Sequence, residues 1–249
     1  MSDTSVDVLV VTKNDISPEF EEMIKEAVPV HEIIVEKSYP LGPARERAIQ
    51  RSSTDRFVWL DDDVYLPQGW YDSLMAFWND AKIGWLESLA VPSTPPWYAQ
   101  WSHWRFAKDV AKRTVWDLGP NERSFNCCAI VKRDALSDWH YPAGEYLGFG
   151  SEDLLMSAHV TDKGYRRLRV AIECEHRLAY GDTHEFWSHI RKGVKGLAGV
   201  PQYHNLKTAL RNSGACVLSG VEAGFATGNL SITANSIRWG WYWFRGLAF

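Results

Sequence analysis

The sequence predicts an α/β fold with a mixed, mainly parallel sheet and a helical, aromatic-rich extension at its C-terminal end. Three observations carry that expectation. Strand-like and helix-like segments alternate as βαβαβ through the first 63 residues, the order of a parallel sheet with crossover helices. The third strand-like run ends abruptly in Asp61-Asp62-Asp63. Beyond position 184 the composition turns basic, then rich in small residues, then aromatic.

The elements follow in order. Val6 to Thr12 (VDVLVVT) is a nearly continuous β-branched run, as in a strand buried on both faces. Ser17-Pro18 opens a helix: Ser caps it, Pro suits its first turn, and Glu19, Glu21 and Glu22 favour its positive end. His31 to Glu36 (HEIIVE) reads as the second strand, Pro43 starts a second helix, and Arg56 to Leu60 (RFVWL) is the third strand. Gly69 to Asn79 reads as helical. Residues 92–104, with three prolines and four aromatics, are expected to interrupt regular structure. Ser124 to Lys132 is a strand, Pro142 to Gly150 a glycine-rich loop, and Ser151 caps a helix that Gly164 ends. Tyr165 to Cys174 is the last strand, followed by His176. The expected division is a catalytic domain over 1–184, with a nucleotide-binding half at 1–92 and an acceptor half at 93–184, and an extension over 185–249.

Composition narrows the class. A chain of 249 residues, 45% hydrophobic, supports one sizeable core or one domain with an appendage. A formal charge of −4 argues against a nucleic-acid binder. The charge is uneven: residues 185–249 hold Arg191, Lys192, Lys195, Lys207, Arg211, Arg238 and Arg245 against Glu185 and Glu222, so an acidic body precedes a basic tail. The body suits a cation, and the tail suits phosphates or an anionic membrane. Cys127, Cys128, Cys174 and Cys216 form no CxxC spacing and read as reduced and mostly buried. With no secretory leader and no long apolar run, the expected location is cytoplasmic, either free or peripheral on the cytoplasmic face of a membrane.

Asp61, Asp62 and Asp63 repel one another after an apolar strand, and a divalent cation is the usual compensation. Residues i and i+2 at a strand end project to the same side, so Asp61 and Asp63 bracket one site while Asp62 points elsewhere. Hard oxygen ligands suit Mg²⁺ or Mn²⁺ shared with substrate phosphates. The competing reading is an acidic turn capping the next helix. Ser151-Glu152-Asp153 is ordinary helix-start grammar, yet the preceding GEYLGFG, with Gly148 and Gly150, resembles a site wall and leaves an acid placed as a general base. His176 reads either as a structural histidine or as a third metal ligand, with His184 competing. HIRKGVKGLAG (189–199) is either a solvated helix face or a loop that closes Arg191 and Lys192 over a diphosphate. Gly220, Gly224 and Gly228 recur every four residues along one helix face, a pattern that permits close helix packing. Arg238 to Arg245 (RWGWYWFR) reads either as a membrane-interface segment or as an aromatic strap on the domain.

Together these features resemble the family 2 glycosyltransferases of GT-A fold. VLVVTKN looks like the family's first strand, which ends at the nucleotide and places Thr12 and Asn14 beside it. Glu36 stands where the family's second strand ends in an acid that contacts the nucleoside. LGPARERAI is similar to the segment along the nucleotide: Gly42, Ala44 and Arg45 match, and Glu46 replaces the usual Asn. LDDDVYLPQGW resembles the DxD motif, with Asp61 and Asp63 as the pair, Asp63 as the direct metal ligand, and Asp62 on the donor side. LGFGSEDLLMSAHVTDKGYR looks like the family's Glu-Asp helix, which makes Asp153 the base and Glu152 its neighbour. CEHR places His176 at a metal-linked position, and HIRKG matches the basic segment beyond it. The resemblance covers about residues 6–200 and leaves the last fifty unexplained.

The resemblance implies an inverting hexosyltransferase that uses Mn²⁺ or Mg²⁺. Its donor is a nucleoside-diphosphate sugar (UDP first, GDP next) and its acceptor a glycan or a lipid-linked molecule. Trp97, Trp101 and Trp104 are expected to form an acceptor platform, since sugar faces stack on aromatic rings. Peripheral membrane contact through the tail and a homo-oligomer are both compatible with the sequence. Three rivals differ in class. An aspartyl phosphohydrolase would carry its motif after the first strand rather than the third. A sugar nucleotidyltransferase would carry a glycine-rich loop where TKNDISP has none. A membrane-peripheral nucleotide-binding scaffold would show no turnover.

Overall fold

The structure is a computed structural model that describes residues 5–119, 124, 127–142, 151–177, 186–188, 190–192 and 206–246. The chain falls into two compact units. One comprises Met1–Ala90, Arg113–Ala143 and Glu152–Arg177; the other comprises Val91–Lys112, Gly144–Ser151 and Leu178–Phe249. The expected acceptor half, 93–184, is therefore divided between them.

The first unit is built on a mixed sheet. Its strands are β1 (Val6–Val11), β2 (Val30–Glu36), β3 (Arg56–Leu60), β4 (Val64–Tyr65), β5 (Ile83–Pro92), β6 (Val115–Asp117), β7 (Cys128–Lys132) and β8 (Arg166–His176). They run in the order β2-β1-β3-β7-β5-β8-β4, with β6 paired to β8. β1 lies parallel to both β2 and β3, and β7 runs antiparallel to β3 and β5. The chain leaves β1 towards β2 and returns across it to β3, so the carboxyl ends of β1 and β3 flank a crevice of the kind in which open α/β sheets bind ligands.

Alternation along the strands makes two hydrophobic layers. Val8, Val10, Val58, Leu60 and Ile130 point to one face, where α1 (Pro18–Ala27) delivers Phe20 and Ile24, and α3 (Trp70–Met75) delivers Trp70 and Leu74. Leu9, Phe57, Trp59, Trp85 and Val131 point to the other, against Ala48 and Ile49 of α2 (Leu41–Arg51) and Met156 and Val160 of α5 (Ser151–Asp162). The start of α1 is fixed as its sequence suggests: the Ser17 hydroxyl accepts from the Phe20 N–H at 3.1 Å, and Pro18 occupies the first turn. Asp7 is the polar exception in β1. Its fully buried carboxylate accepts from the Ser53 and Thr54 N–H groups at 2.6 and 3.1 Å and from the Ser52 hydroxyl at 3.0 Å, so it satisfies the turn that feeds β3.

The second unit corrects one expectation. The proline-rich stretch at 92–104 interrupts regular structure only at 93–95: α4 then runs from Pro96 to Val110. A proline in the first helical turn loses no hydrogen bond, because that N–H has no intrahelical partner, and its fixed φ suits the helix. Trp97 and Trp101 of α4 are core residues. They pack with Phe186, Trp187, Ala223, Ile232 and Tyr242, with the Trp97 and Trp187 rings stacked at 5.8 Å.

Two long helices complete this unit, α6 (Leu206–Thr227) and α7 (Leu230–Gly246). They form an antiparallel hairpin. A β-carbon on Gly220 would collide with the Ser236 side chain, one on Gly224 with Thr233, and one on Gly240 with Val217. The four-residue glycine spacing thus serves close helix packing at Gly220 and Gly224. Gly228 does a different job: it adopts φ +69° just past α6 and ends it, as the left-handed position after a helix favours.

Candidate active site

The candidate site lies at the carboxyl ends of β1 and β3, within the first unit. Leu60 is buried in the core and the chain emerges at Asp61, whose N–H donates to the Cys127 carbonyl at 3.0 Å. The short strand β4 then pairs antiparallel with β8, Val64 opposite His176. That pairing is what brings Asp63 to His176, with Asp63 Oδ1 and His176 Nε2 at 3.1 Å. The Arg177 N–H also donates to the Asp63 carbonyl at 2.8 Å, which fixes the backbone at this corner. Asp62 points away from the pair and accepts from the Thr12 hydroxyl at the end of β1. The Thr12 N–H donates to the Glu36 carbonyl at 3.1 Å, so the ends of β2, β1 and β3 are tied in sequence.

Arg45 is the electrostatic centre of the site. It is 4% exposed, and its guanidinium hydrogen-bonds the Asp153 carboxylate and lies 3.5 Å from Glu152 and 3.6 Å from Asp61. Beneath it the Trp59 ring lies 5.2 Å away. Burial alone would pull this cation down, but the carboxylates of Asp153, Glu152 and Asp61 outweigh it and hold Arg45 charged. Glu152 and Asp153, both buried at the start of α5, therefore both face the Arg45 cation of α2. Asp61 is still in excess: burial and the neighbouring Asp63 and Asp153 push it up to about 7, against the opposing pull of Arg45 and His176. His176 is shifted upward, because its hydrogen bond to Asp63 and the charges of Asp63 and Asp61 outweigh the effect of burial.

The donor set fits a hard divalent cation. Asp63 and the His176 imidazole are already in contact, Asp61 stands two residues before Asp63, and an ion there would counter both the burial and the neighbouring carboxylates that raise Asp61. Among the described residues no preformed cage of three or more such ligands exists. Asp63 and His176 touch, while Asp61 lies beside Arg45.

The nucleotide-side candidates divide as follows. Glu36 accepts from the Ser38 hydroxyl and N–H and lies 3.4 Å from Arg47. The Ser38 hydroxyl bond is the largest of the effects that hold Glu36 below the ordinary carboxylate range, against the opposing effect of burial. Gly42 is packed so tightly against the Tyr141 ring that a β-carbon would overlap it, and Ala44 is fully buried. The Asn14 N–H donates to the Thr12 hydroxyl at 3.2 Å. Arg191 and Lys192, both exposed, and the half-buried Trp104 belong to the second unit. Trp97 and Trp101 lie in the hydrophobic core of that unit, so they do not present an open stacking platform; their rings face other rings instead. Gly148, Gly150 and His184 lie outside the described residues.

Two features escaped sequence reasoning. Glu46 accepts from the Tyr141 N–H at 2.9 Å and lies 2.7 Å from His140 Nδ1. It anchors residues 140–141 against α2 and so holds the Tyr141 ring on Gly42. The only hint in the sequence was an acid where the family usually has Asn. The second feature is Glu87, fully buried on β5. It accepts from Arg169 Nε at 2.6 Å and Trp85 Nε1 at 2.8 Å, and an isolated Glu in an apolar strand signals only that some partner exists.

Comparisons with known proteins bear on the family and the fold. The model of a family described as Glycosyl transferase family 2 matches residues 3–139. No curated protein sequence matches the chain. Among solved structures, a mannosyltransferase from Pyrobaculum calidifontis, in complex with GDP-Man and Mn²⁺, superposes with a TM-score of 0.56 at 14% identity, over 98% of this chain and 86% of that one. GalNAc-T7 with UDP, GalNAc and Mn²⁺ gives 0.47 at 13% identity, over 96% and 56%. TarS of S. aureus gives 0.46 at 12% identity, over 89% and 72%.

Proposed function

The chain belongs to glycosyl transferase family 2, and from that premise we propose that it is a metal-dependent, inverting hexosyltransferase acting on a nucleoside-diphosphate sugar. Its α/β fold is of the GT-A type. The reading rests above all on one juxtaposition: the Asp63–His176 contact and the Arg45–Asp153 ion pair meet at Asp61, at the carboxyl end of β3. A scaffold without turnover gives no reason for that concentration of buried charge, and the family assignment sets the phosphohydrolase aside.

Asp61, Asp63 and His176 would hold Mn²⁺ or Mg²⁺. Bound there, the ion would supply Lewis-acid stabilisation of the departing diphosphate. Thr12, Asn14 and Glu36 border the nucleoside end of the crevice. Asp62, fixed by the Thr12 hydroxyl, stands on the donor side. Asp153 is the general base. As the acceptor hydroxyl oxygen bonds to the anomeric carbon, the bond from that carbon to the diphosphate oxygen breaks, and the hydroxyl proton passes to the Asp153 carboxylate. Arg45 orients Asp153, and Glu152 shares the same cation. Arg191 and Lys192 are the chain's candidates for neutralising the leaving diphosphate. The acceptor is a glycan or a lipid-linked molecule. The Pyrobaculum calidifontis mannosyltransferase, which superposes on 98% of this chain, was crystallised with GDP-Man, which puts GDP beside UDP as a donor base to be tested.

Asp153→Asn separates binding from chemistry. Donor binding should persist while transfer falls by about 10²–10⁴-fold, the range for loss of a general base. Near-normal transfer by this variant would remove Asp153 from the role and point to Glu152.

A further inference from the structure

The second unit carries one apolar surface that is exposed among the described residues. Eight large hydrophobic side chains are exposed among the described residues, and seven of them are on α6 and α7: Leu206, Leu210, Leu218, Phe225, Leu230, Ile237 and Trp241. Leu218 and Phe225, seven residues apart, share a face of α6. Leu230, Ala234, Ile237 and Trp241 follow the spacing i, i+4, i+7, i+11 and form one stripe along α7. The opposite sides of both helices are spent on the unit's core: α6 contributes Ala223 and Cys216, and α7 contributes Ile232, Trp239, Tyr242 and Trp243. The two readings of the aromatic tail thus divide by residue. Trp239, Tyr242 and Trp243 are the strap, and Trp241, 61% exposed, is not part of it.

The charge around the apolar stripes has one sign. Lys207, Arg211, Arg238 and Arg245 are exposed on the hairpin. Its single acid, Glu222, is already paired with Lys108 of α4. A second copy of the same face would bring these cations against one another with no free acid to answer them. An anionic bilayer answers all of them, and its acyl boundary accepts Leu, Ile, Phe and Trp. No described helix is long and apolar enough to cross a membrane, so the geometry is that of helices lying in the interface plane.

We propose that the outer face of the α6–α7 hairpin docks the protein on an anionic lipid bilayer. Leu218, Phe225, Leu230, Ile237 and Trp241 enter the headgroup–acyl boundary, and Lys207, Arg211 and Arg245 meet lipid phosphates. This surface is independent of the catalytic assignments and stands or falls without them.

Co-sedimentation of the full chain with vesicles tests it. The wild type should pellet with phosphatidylcholine vesicles that contain phosphatidylglycerol, pellet weakly with phosphatidylcholine alone, and be released by salt. Lys207→Gln/Arg211→Gln/Arg245→Gln removes only exposed charges and should lower partitioning about a hundredfold, since each basic residue near an anionic surface contributes roughly a factor of five. Ile237→Glu/Trp241→Glu should lower it as strongly while leaving the helical circular dichroism unchanged. A wild type that stays in solution with both vesicles overturns the proposal. So does pelleting of both variants at the wild-type level. A wild-type dimer in sedimentation velocity that Ile237→Glu/Trp241→Glu converts to monomer, with no vesicle binding by either, assigns the face to self-association instead.

Discussion

Replacing Arg45 with Met tests the electrostatic core of the site. Met retains much of the buried volume over Trp59 but removes the cation that faces Asp153, Glu152 and Asp61. Asp153 and Glu152 are almost fully buried, so neither can turn to water for compensation. Removing one partner of a buried ion pair costs about 3–5 kcal/mol, because the partner charge is stranded. For a chain of this size each kcal/mol lowers the melting midpoint by roughly 2–4 °C, which gives a drop of roughly 6–20 °C. The deficit should narrow as the pH is lowered into the carboxylate range, where protonation removes the stranded charge. Asp153→Asn added to Arg45→Met should restore part of the loss, and the double-mutant cycle should show a coupling of about 1–3 kcal/mol. Urea unfolding of the four proteins at two pH values measures all of this. An Arg45→Met protein within about 0.5 kcal/mol of wild type, the range of an ordinary surface change, would refute the reasoning.

Two further substitutions probe the frame around the site. Asp7→Asn keeps one acceptor at the Ser52–Thr54 turn and should cost about 1–3 kcal/mol. Burial tends to raise Asp7, but its bonds from Ser53, Thr54 and Ser52 outweigh that and place it below its ordinary value. Its contribution is therefore complete above the unfolded-state value near 3.8 and disappears as the pH falls through the lower folded value, so acid unfolding should be shallower in Asp7→Asn than in the wild type. Gly42→Ala drives a methyl into the Tyr141 ring and should cost about 1–3 kcal/mol by overpacking. An unchanged denaturation midpoint would mean that the Tyr141 ring moves freely aside.

The parts legible in the sequence are those fixed locally. The βαβαβ order, the Ser17-Pro18 helix start and the strand running into Asp61 each depend on a few adjacent residues, and the structure has all three. What the sequence hid depends on distant partners. Arg45 and Asp153 are 108 positions apart, and Glu46 and His140 are 94 apart. No periodicity announces that an Arg matched to a nucleotide-binding segment will be sealed among three carboxylates. The same applies to Trp97 and Trp101. An aromatic run after prolines is equally compatible with a sugar platform and with the inner face of a helix, and only the partners Phe186 and Trp187 decide it. Pro95-Pro96 misled for a local reason, because proline breaks a helix interior but suits its first turn.

The most direct test of the account is a thermal-shift titration of UDP- and GDP-sugars with and without Mn²⁺, on the wild type and on Asp63→Ala. A ligand that binds the native state at a hundred times its Kd stabilises it by about 2.7 kcal/mol. The account predicts a clear upward shift with one donor base, present only with Mn²⁺ and absent in Asp63→Ala. A shift of equal size without metal, or one that Asp63→Ala retains in full, would contradict the assignment of Asp61, Asp63 and His176 to a cation that holds the donor.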